Sequence, residues 1–179
     1  LLASARHAFA TQGFANTSMD DFTARAGLTR GALYHHFGDK KGLLAAVVAQ
    51  LDSEMDDRLQ QISTQANNPW DGFCERCRAY LHMAQDPEIQ RIVLQDAPAA
   101  LGADGGAPQH CIESLRRLLD ELMQAGLIEH APSLALARLI NGSLVDTAQW
   151  IAHAERPDEC LEQALQGLDL LLRGLKPVA

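Results

Sequence analysis

The chain is expected to be all-α, with a short N-terminal unit of three helices followed by a longer helical bundle, and three observations predict this. Apolar residues recur at helical spacing and no run alternates as a half-buried strand would. Residues 17 to 43 set two short helices on either side of a glycine turn, the grammar of a helix-turn-helix. Beyond them, glycine and proline punctuate the sequence only at intervals long enough for further helices.

The elements follow in order. Ser18 with Asp21 three residues later is a capping-box pattern, so a helix should open at Met19 and end near Ala26. Gly27 supplies the turn, and Thr29 is a second cap candidate for a helix from Arg30 to about His36. Leu33 and Phe37 lie four apart and should pack inward with Leu28, against Met19, Phe22 and Ala26. That leaves an outward face of Thr29, Arg30, Gly31, Tyr34 and His35, polar and able to donate hydrogen bonds. Lys40 and Lys41 then begin a helix expected to run to about 65, where cations oppose the helix dipole at a cost of roughly 0.3–1 kcal/mol. A phosphate bound at that helix end would remove the conflict. Further helices are expected at about 69–84, 87–95, 108–125, 132–154 and 157–174, and the loop LGADGGAP should be mobile.

The run AGLTRGALYHHFGDKKGLL resembles the signature of the TetR family of bacterial transcriptional regulators, and Phe9, Gly13, Phe14 and the Thr17-Ser18 pair fall where that family places equivalents. The resemblance implies an N-terminal helix-turn-helix DNA-binding domain, residues 1–45, and a C-terminal helical effector-binding and dimerisation domain, residues 46–179. It implies that Thr17 and Ser18 meet phosphate and that Thr29, Arg30 and Gly31 begin the recognition helix. By the same match Tyr34, His35 and His36 touch phosphates or base edges, and Lys40 holds a phosphate. Arg30 is the best candidate for a base reader, since a guanidinium can bond bidentately to guanine. Ser18 and Thr29 would also serve as plain caps, and His36 as a core histidine. Departures from the family pattern are Phe22 and Thr23 in place of a small or branched pair, Gly42 in place of a common glutamate, and Asp20 near the phosphate path.

Net charge is −8, which at first opposes DNA binding. The charge is divided: residues 1–45 hold five Lys or Arg against three Asp or Glu, and the remainder ten against twenty. Attraction at one end and repulsion at the other orient the approach to a polyanion. The chain opens on Leu1, and a preceding basic arm, common in proteins resembling this one, would add to the positive end. No apolar stretch is long enough to span a membrane, no secretory signal pattern is present, and a cytoplasmic location without membrane contact is expected. Cys74, Cys77, Cys111 and Cys160 are too few and scattered for a secreted disulfide framework.

The last two helices are expected to form a homodimer through Ala137, Leu144, Ala148 and Ile151 on one and Leu161, Ala164, Leu165, Gly167, Leu168, Leu171 and Leu172 on the other, two helices from each subunit making four. Two reading heads then suit double-stranded DNA with a palindromic operator. As in proteins resembling this one, an unidentified small-molecule effector would enter the bundle and move the helix from Lys40, releasing the operator. Phe73, Cys77, Tyr80, Leu81, Ile92, Leu115, Leu119, Asn141, Leu144 and Trp150 are candidate pocket residues, with Asn141 and Tyr80 as polar handles, while each alone also reads as ordinary core. Cys74 and Cys77 have the C-x-x-C spacing of a zinc or thiol switch, yet no second pair exists, so no metal or cofactor is expected. No nucleophile elbow, phosphate loop or zinc helix argues for an enzyme. The remaining rivals are a helical protein-interaction module without DNA binding and a regulator that senses metal or oxidation through Cys74 and Cys77.

Overall fold

Asn68, Asp86 and Asp39 each end a turn by accepting backbone N–H groups, and each starts a helix. Asn68 Oδ1 accepts from Asp71 N at 2.9 Å and Asp86 Oδ1 from Glu88 N at 2.9 Å, each with proline at the next position. Asp39 Oδ1 accepts from Gly42 N at 2.7 Å. Such caps satisfy donors the helix itself cannot. The computed structural model describes residues 1–25, 27, 30–102 and 109–177. In order the helices are α1 (Leu2–Gln12), α2 (Met19–Arg25), α3 (Arg30–Phe37), α4 (Lys40–Gln65), α5 (Pro69–Met83), α6 (Pro87–Ile89), a π-helical stretch (Gln90–Asp96), α7 (Ala97–Leu101), α8 (Gln109–Gln124), α9 (Ser133–His153) and α10 (Pro157–Arg173). No strand occurs among the described residues. The long helix at 40–65 is as expected, whereas α1 was bounded by no signal read from the sequence. The LGADGGAP loop lies largely outside the described residues, as do Ala26, Leu28 and Thr29.

Two units emerge from the packing, Leu1–Glu54 with Asp86–Gly106, and Met55–Gln85 with Ala107–Ala179. The boundary expected at 45 follows sequence order, whereas contacts place a later segment in the first unit. That head is built on Ala5, Phe9, Phe22, Leu33, Leu43, Leu44, Val47, Leu51 and Ile92, all buried, with Met19, Phe14 and Phe37 packed on them. Burial of one such large side chain contributes about 1.5–3 kcal/mol. Polar ties reinforce it. Arg6 donates to Glu88 at 2.7 Å and to Glu54 at 2.7 Å, which raises its pKa. Asp96 Oδ2 accepts from Phe14 N at 2.7 Å, and the Arg91 guanidinium lies so close over Gly13 that a Cβ there would collide with it. Gly13 also ends α1 with φ of 79°, which only glycine adopts cheaply.

In the second unit α8 packs on α9, and α5 packs on α8, α9 and α10. The core holds Phe73, Cys77, Leu81, Leu115, Leu119, Leu122, Ile128, Ala137, Leu144, Ala148, Ile151, Leu161, Leu168 and Leu172. At the end of α8, Leu127 N donates to Leu122 O at 2.9 Å after Gly126 takes a φ of 67°. Arg78 pairs with Asp169 at 2.7 Å, tying α5 to α10.

Candidate nucleic-acid interface and effector cleft

The turn between α1 and α2 assigns its two hydroxyls opposite duties. Thr17 is buried and its Oγ1 donates to Gly13 O at 2.8 Å, closing the turn, so its side chain is not offered to a phosphate as expected. Ser18 is exposed and its Oγ accepts from Asp21 N at 3.3 Å, the forward half of the capping box. Asp20 is exposed on the first turn of α2 beside it. Thr23, a departure from the family pattern, turns inward and donates to Met19 O and Asp20 O, each at 3.0 Å.

On α3, Leu33 points into the core while Gly31, Tyr34, His35 and His36 are all exposed. Exposure removes the core-histidine reading of His36. A Cβ added at Gly31 would touch nothing, so internal packing does not require glycine there and the outer surface is left open to close approach. Thr29 and the Arg30 side chain lie outside the described residues. Lys40, at the start of α4, places Nζ 3.3 Å from Ala15 O and 4.5 Å from the centre of the Phe14 ring. Desolvation there lowers its pKa from the ordinary value, opposed by Asp96. Lys41 is exposed next to it. An exposed helix face bearing a phenol, two imidazoles and an open glycine, beside two lysines, can bond to phosphate oxygens and base edges.

The ten residues expected to line an effector pocket fall in several environments, and Leu81, Leu144 and Trp150 line the groove between α9 and α10. Ile92 belongs to the head core, because its segment packs with α1, and is therefore corrected out of the set. Phe73, Cys77, Leu81, Leu115, Leu119 and Leu144 are buried in the bundle, Tyr80 and Asn141 are half-buried, and Trp150 is exposed. A half-open cleft of about 350 Å³ instead lies among α4, α5 and α8, lined by Gln60, Ser63, Thr64, Asn67, Phe73, Ser114, Arg117, Leu118 and Glu121 among others. Phe73 is its one expected member. Beside it sits a group that sequence reading passed over: Arg76 is 3% exposed and its Nη2 donates to Asp56 Oδ1 at 2.5 Å and Ser114 Oγ at 3.3 Å. Its place three after Phe73 and four before Tyr80, a charge on an apolar face, was the available signal.

The dimer set also divides. Ala137, Leu144, Ala148, Ile151, Leu161, Leu168 and Leu172 are buried within the single subunit, a correction to their assignment, because that stripe packs on the subunit's own helices. Ala164 and Leu165 are half-buried, and Gly167 and Leu171 are exposed. Leu139, Trp150, Leu170 and Leu171 are large, exposed and apolar, and Ser143, Trp150, Ala164, Gly167 and Leu171 line a shallow groove between α9 and α10. Cys74 and Cys77 are both buried, and burial pushes the Cys77 thiol up to about 12 and raises Cys74. A thiol so protonated is a poor nucleophile and a poor metal ligand. No group of His, Cys, Asp or Glu among the described residues could hold a metal ion.

A helix-turn-helix with an exposed second helix in the N-terminal unit, in a chain whose other unit is an all-α bundle, defines the class of helix-turn-helix DNA-binding transcriptional regulators. Residues 1–47 match the family model of bacterial regulatory proteins of the tetR family, and residues 70–175 match the tetracyclin repressor-like C-terminal domain. The chain belongs to the TetR family. A TetR-family transcriptional regulator from Pectobacterium atrosepticum, known from its crystal structure, is 58% identical with a TM-score of 0.91, over 99% of this chain and 92% of that one. The Transposon Tn10 TetC protein of Escherichia coli is 28% identical over 79% of this chain and 73% of its own length. The HTH-type transcriptional repressor KstR2 of Mycolicibacterium smegmatis is 29% identical over 54% of this chain, which spans 47% of it.

Proposed function

We propose that this protein is a dimeric, cytoplasmic repressor that holds a palindromic operator and releases it when a small-molecule effector occupies the C-terminal bundle. The exposed face of Gly31, Tyr34, His35 and His36 on α3 supports the DNA half of the reading, in which Ser18, Lys40 and Lys41 meet phosphates and, by the family resemblance, Thr29 and Arg30 take part in reading. Repression is supported by the similarity to KstR2, an HTH-type transcriptional repressor. Regulation, not catalysis, is the activity proposed.

The exposed Leu139, Trp150 and Leu171 support dimerisation through the outer faces of α9 and α10. Apolar surface concentrated on two neighbouring helices marks a partner site. Two heads would then address half-sites roughly one helical turn apart, about 34–36 Å, or a multiple. No described helix is long and apolar enough to cross a membrane.

The experiment is selection of bound duplexes from a random pool, followed by affinity measurement across a salt series. Recovery of an inverted repeat with affinity falling steeply as salt rises is expected. Binding to no duplex at low salt would leave the protein-interaction reading in its place.

A further inference from the structure

The turn from α1 to α2 is gripped from two sides at Phe14. Its amide donates to Asp96 Oδ2 at 2.7 Å, across 82 residues of sequence, and its ring centre lies 4.5 Å from Lys40 Nζ. Lys40 Nζ also reaches Ala15 O, the next residue of the turn, at 3.3 Å. An ammonium has three donors, so this contact leaves others for a phosphate while fixing where the lysine stands. Asp96 is itself held. Its side chain is 16% exposed, Arg91 Nε donates to the same Oδ2 at 3.3 Å, and the Arg91 guanidinium rests against Gly13, where the turn begins. Asp96 also closes the π-helical stretch, in which Ala97 N donates to Ile92 O, and Ile92 is fully buried in the head core. Insertions of this kind occur frequently at functional sites. So firm a base gives the carboxylate little freedom to move.

We propose that Asp96 is a positioning residue for operator binding: by holding the Phe14 amide it sets the turn on which Lys40 rests, and so the place of that ammonium, without touching DNA. The proposal rests on the DNA-binding reading above, in which Lys40 meets a phosphate. An acid in the reading head works against a polyanion and calls for a reason. Here its Oδ2 is taken by an amide and a guanidinium of the head itself. A lysine already held in place loses less freedom when a phosphate arrives than one that swings free. Without the carboxylate the Phe14 amide loses its acceptor, Ala15 O shifts with it, and the lysine loses its rest.

The test measures the affinity of the full chain for the duplex recovered by selection, across a salt series, in Asp96→Ala, Asp96→Asn, Lys40→Met and the Asp96→Ala, Lys40→Met double variant. Asp96→Ala should bind about tenfold more weakly, as the loss of a charged hydrogen bond implies, with the salt slope lower by about one. Asp96→Asn, whose amide oxygen can still accept from Phe14 N, should recover most of that affinity. In the Lys40→Met background Asp96→Ala should cost less than about twofold, because the residue through which it acts is gone. A role in stability alone would weaken binding equally in both backgrounds and leave the slope unchanged. Either result overturns the proposal, as does wild-type affinity in Asp96→Ala or an equal loss in Asp96→Asn. Should Asp96→Ala not fold by circular dichroism, Asp96→Glu takes its place with the same expectations, since it displaces the acceptor by one methylene while keeping the charge. Wild type titrated alongside keeps the two readings apart: its failure to bind any duplex overturns both, whereas its binding with the Asp96 variants unaffected overturns this one alone.

Discussion

Lys40 has two calls on one ammonium group. It donates to Ala15 O and lies over Phe14, which fixes the turn before α2, and it stands at a helix start where a phosphate would be welcome. Lys40→Met should lower affinity for every duplex by a similar factor and flatten the salt dependence by about one unit of slope. An unchanged slope in anisotropy titrations would leave Lys40 a tether only. Arg6 presents a different balance, since its fork meets Glu54 and Glu88 at the edge of the head. Arg6→Met should cost about 1–2 kcal/mol, between an exposed ion pair and a charged hydrogen bond. The Gln50 amide and then Arg6 hold the Glu54 carboxyl below its usual range. The folded pKa is thus lower than the unfolded one, so this stability is complete above about pH 5 and is lost as pH falls through the depressed value. Thermal unfolding from pH 7 to 3 should show wild type and Arg6→Met converging at the acid end.

Among the elements, α4 was the most legible and the faces of α9 and α10 the least. Lys40 to Gln65 runs between Gly38-Asp39 and Asn67-Asn68-Pro69, strong punctuation whose chemistry is local. Gly42, where the family pattern has glutamate, has a geometric reason: a Cβ there would run into Phe37 O. Gly42→Ala should therefore destabilise despite alanine's helix propensity, by about 1–3 kcal/mol, read as a lower urea midpoint with unchanged slope. On α10, Leu171 and Leu172 are neighbours of equal hydrophobicity, one exposed and one buried. Two apolar stripes on one helix carry no mark of which meets a partner, so periodicity found both and could not rank them. The recognition helix was legible because its inward pair, Leu33 and Phe37, sits among polar neighbours. Arg76 stayed hidden because its partners lie twenty and thirty-eight residues away.

At the level of the molecule, the proposed reading of a palindromic operator needs a stable dimer. Trp150→Glu combined with Leu139→Glu should give a monomer in sedimentation at micromolar concentration and a large loss of operator affinity, with α-helical content retained, since both side chains are exposed in the single subunit. Retention of the dimer would move the interface elsewhere. The segment that holds Ile92 and Asp96 has a further consequence. Ile92 fills the core of the reading head and Asp96 takes the Phe14 amide, yet both arrive in the chain long after Glu54. The head is consequently not a portable module: a cut after Glu54 leaves a hole where Ile92 sat and an amide without its carboxylate. A graft onto another bundle would have to carry two separate pieces of sequence. During synthesis the same geometry delays completion of the head until Asp96 has emerged, so the DNA-reading end finishes folding only when part of the C-terminal bundle has already been made.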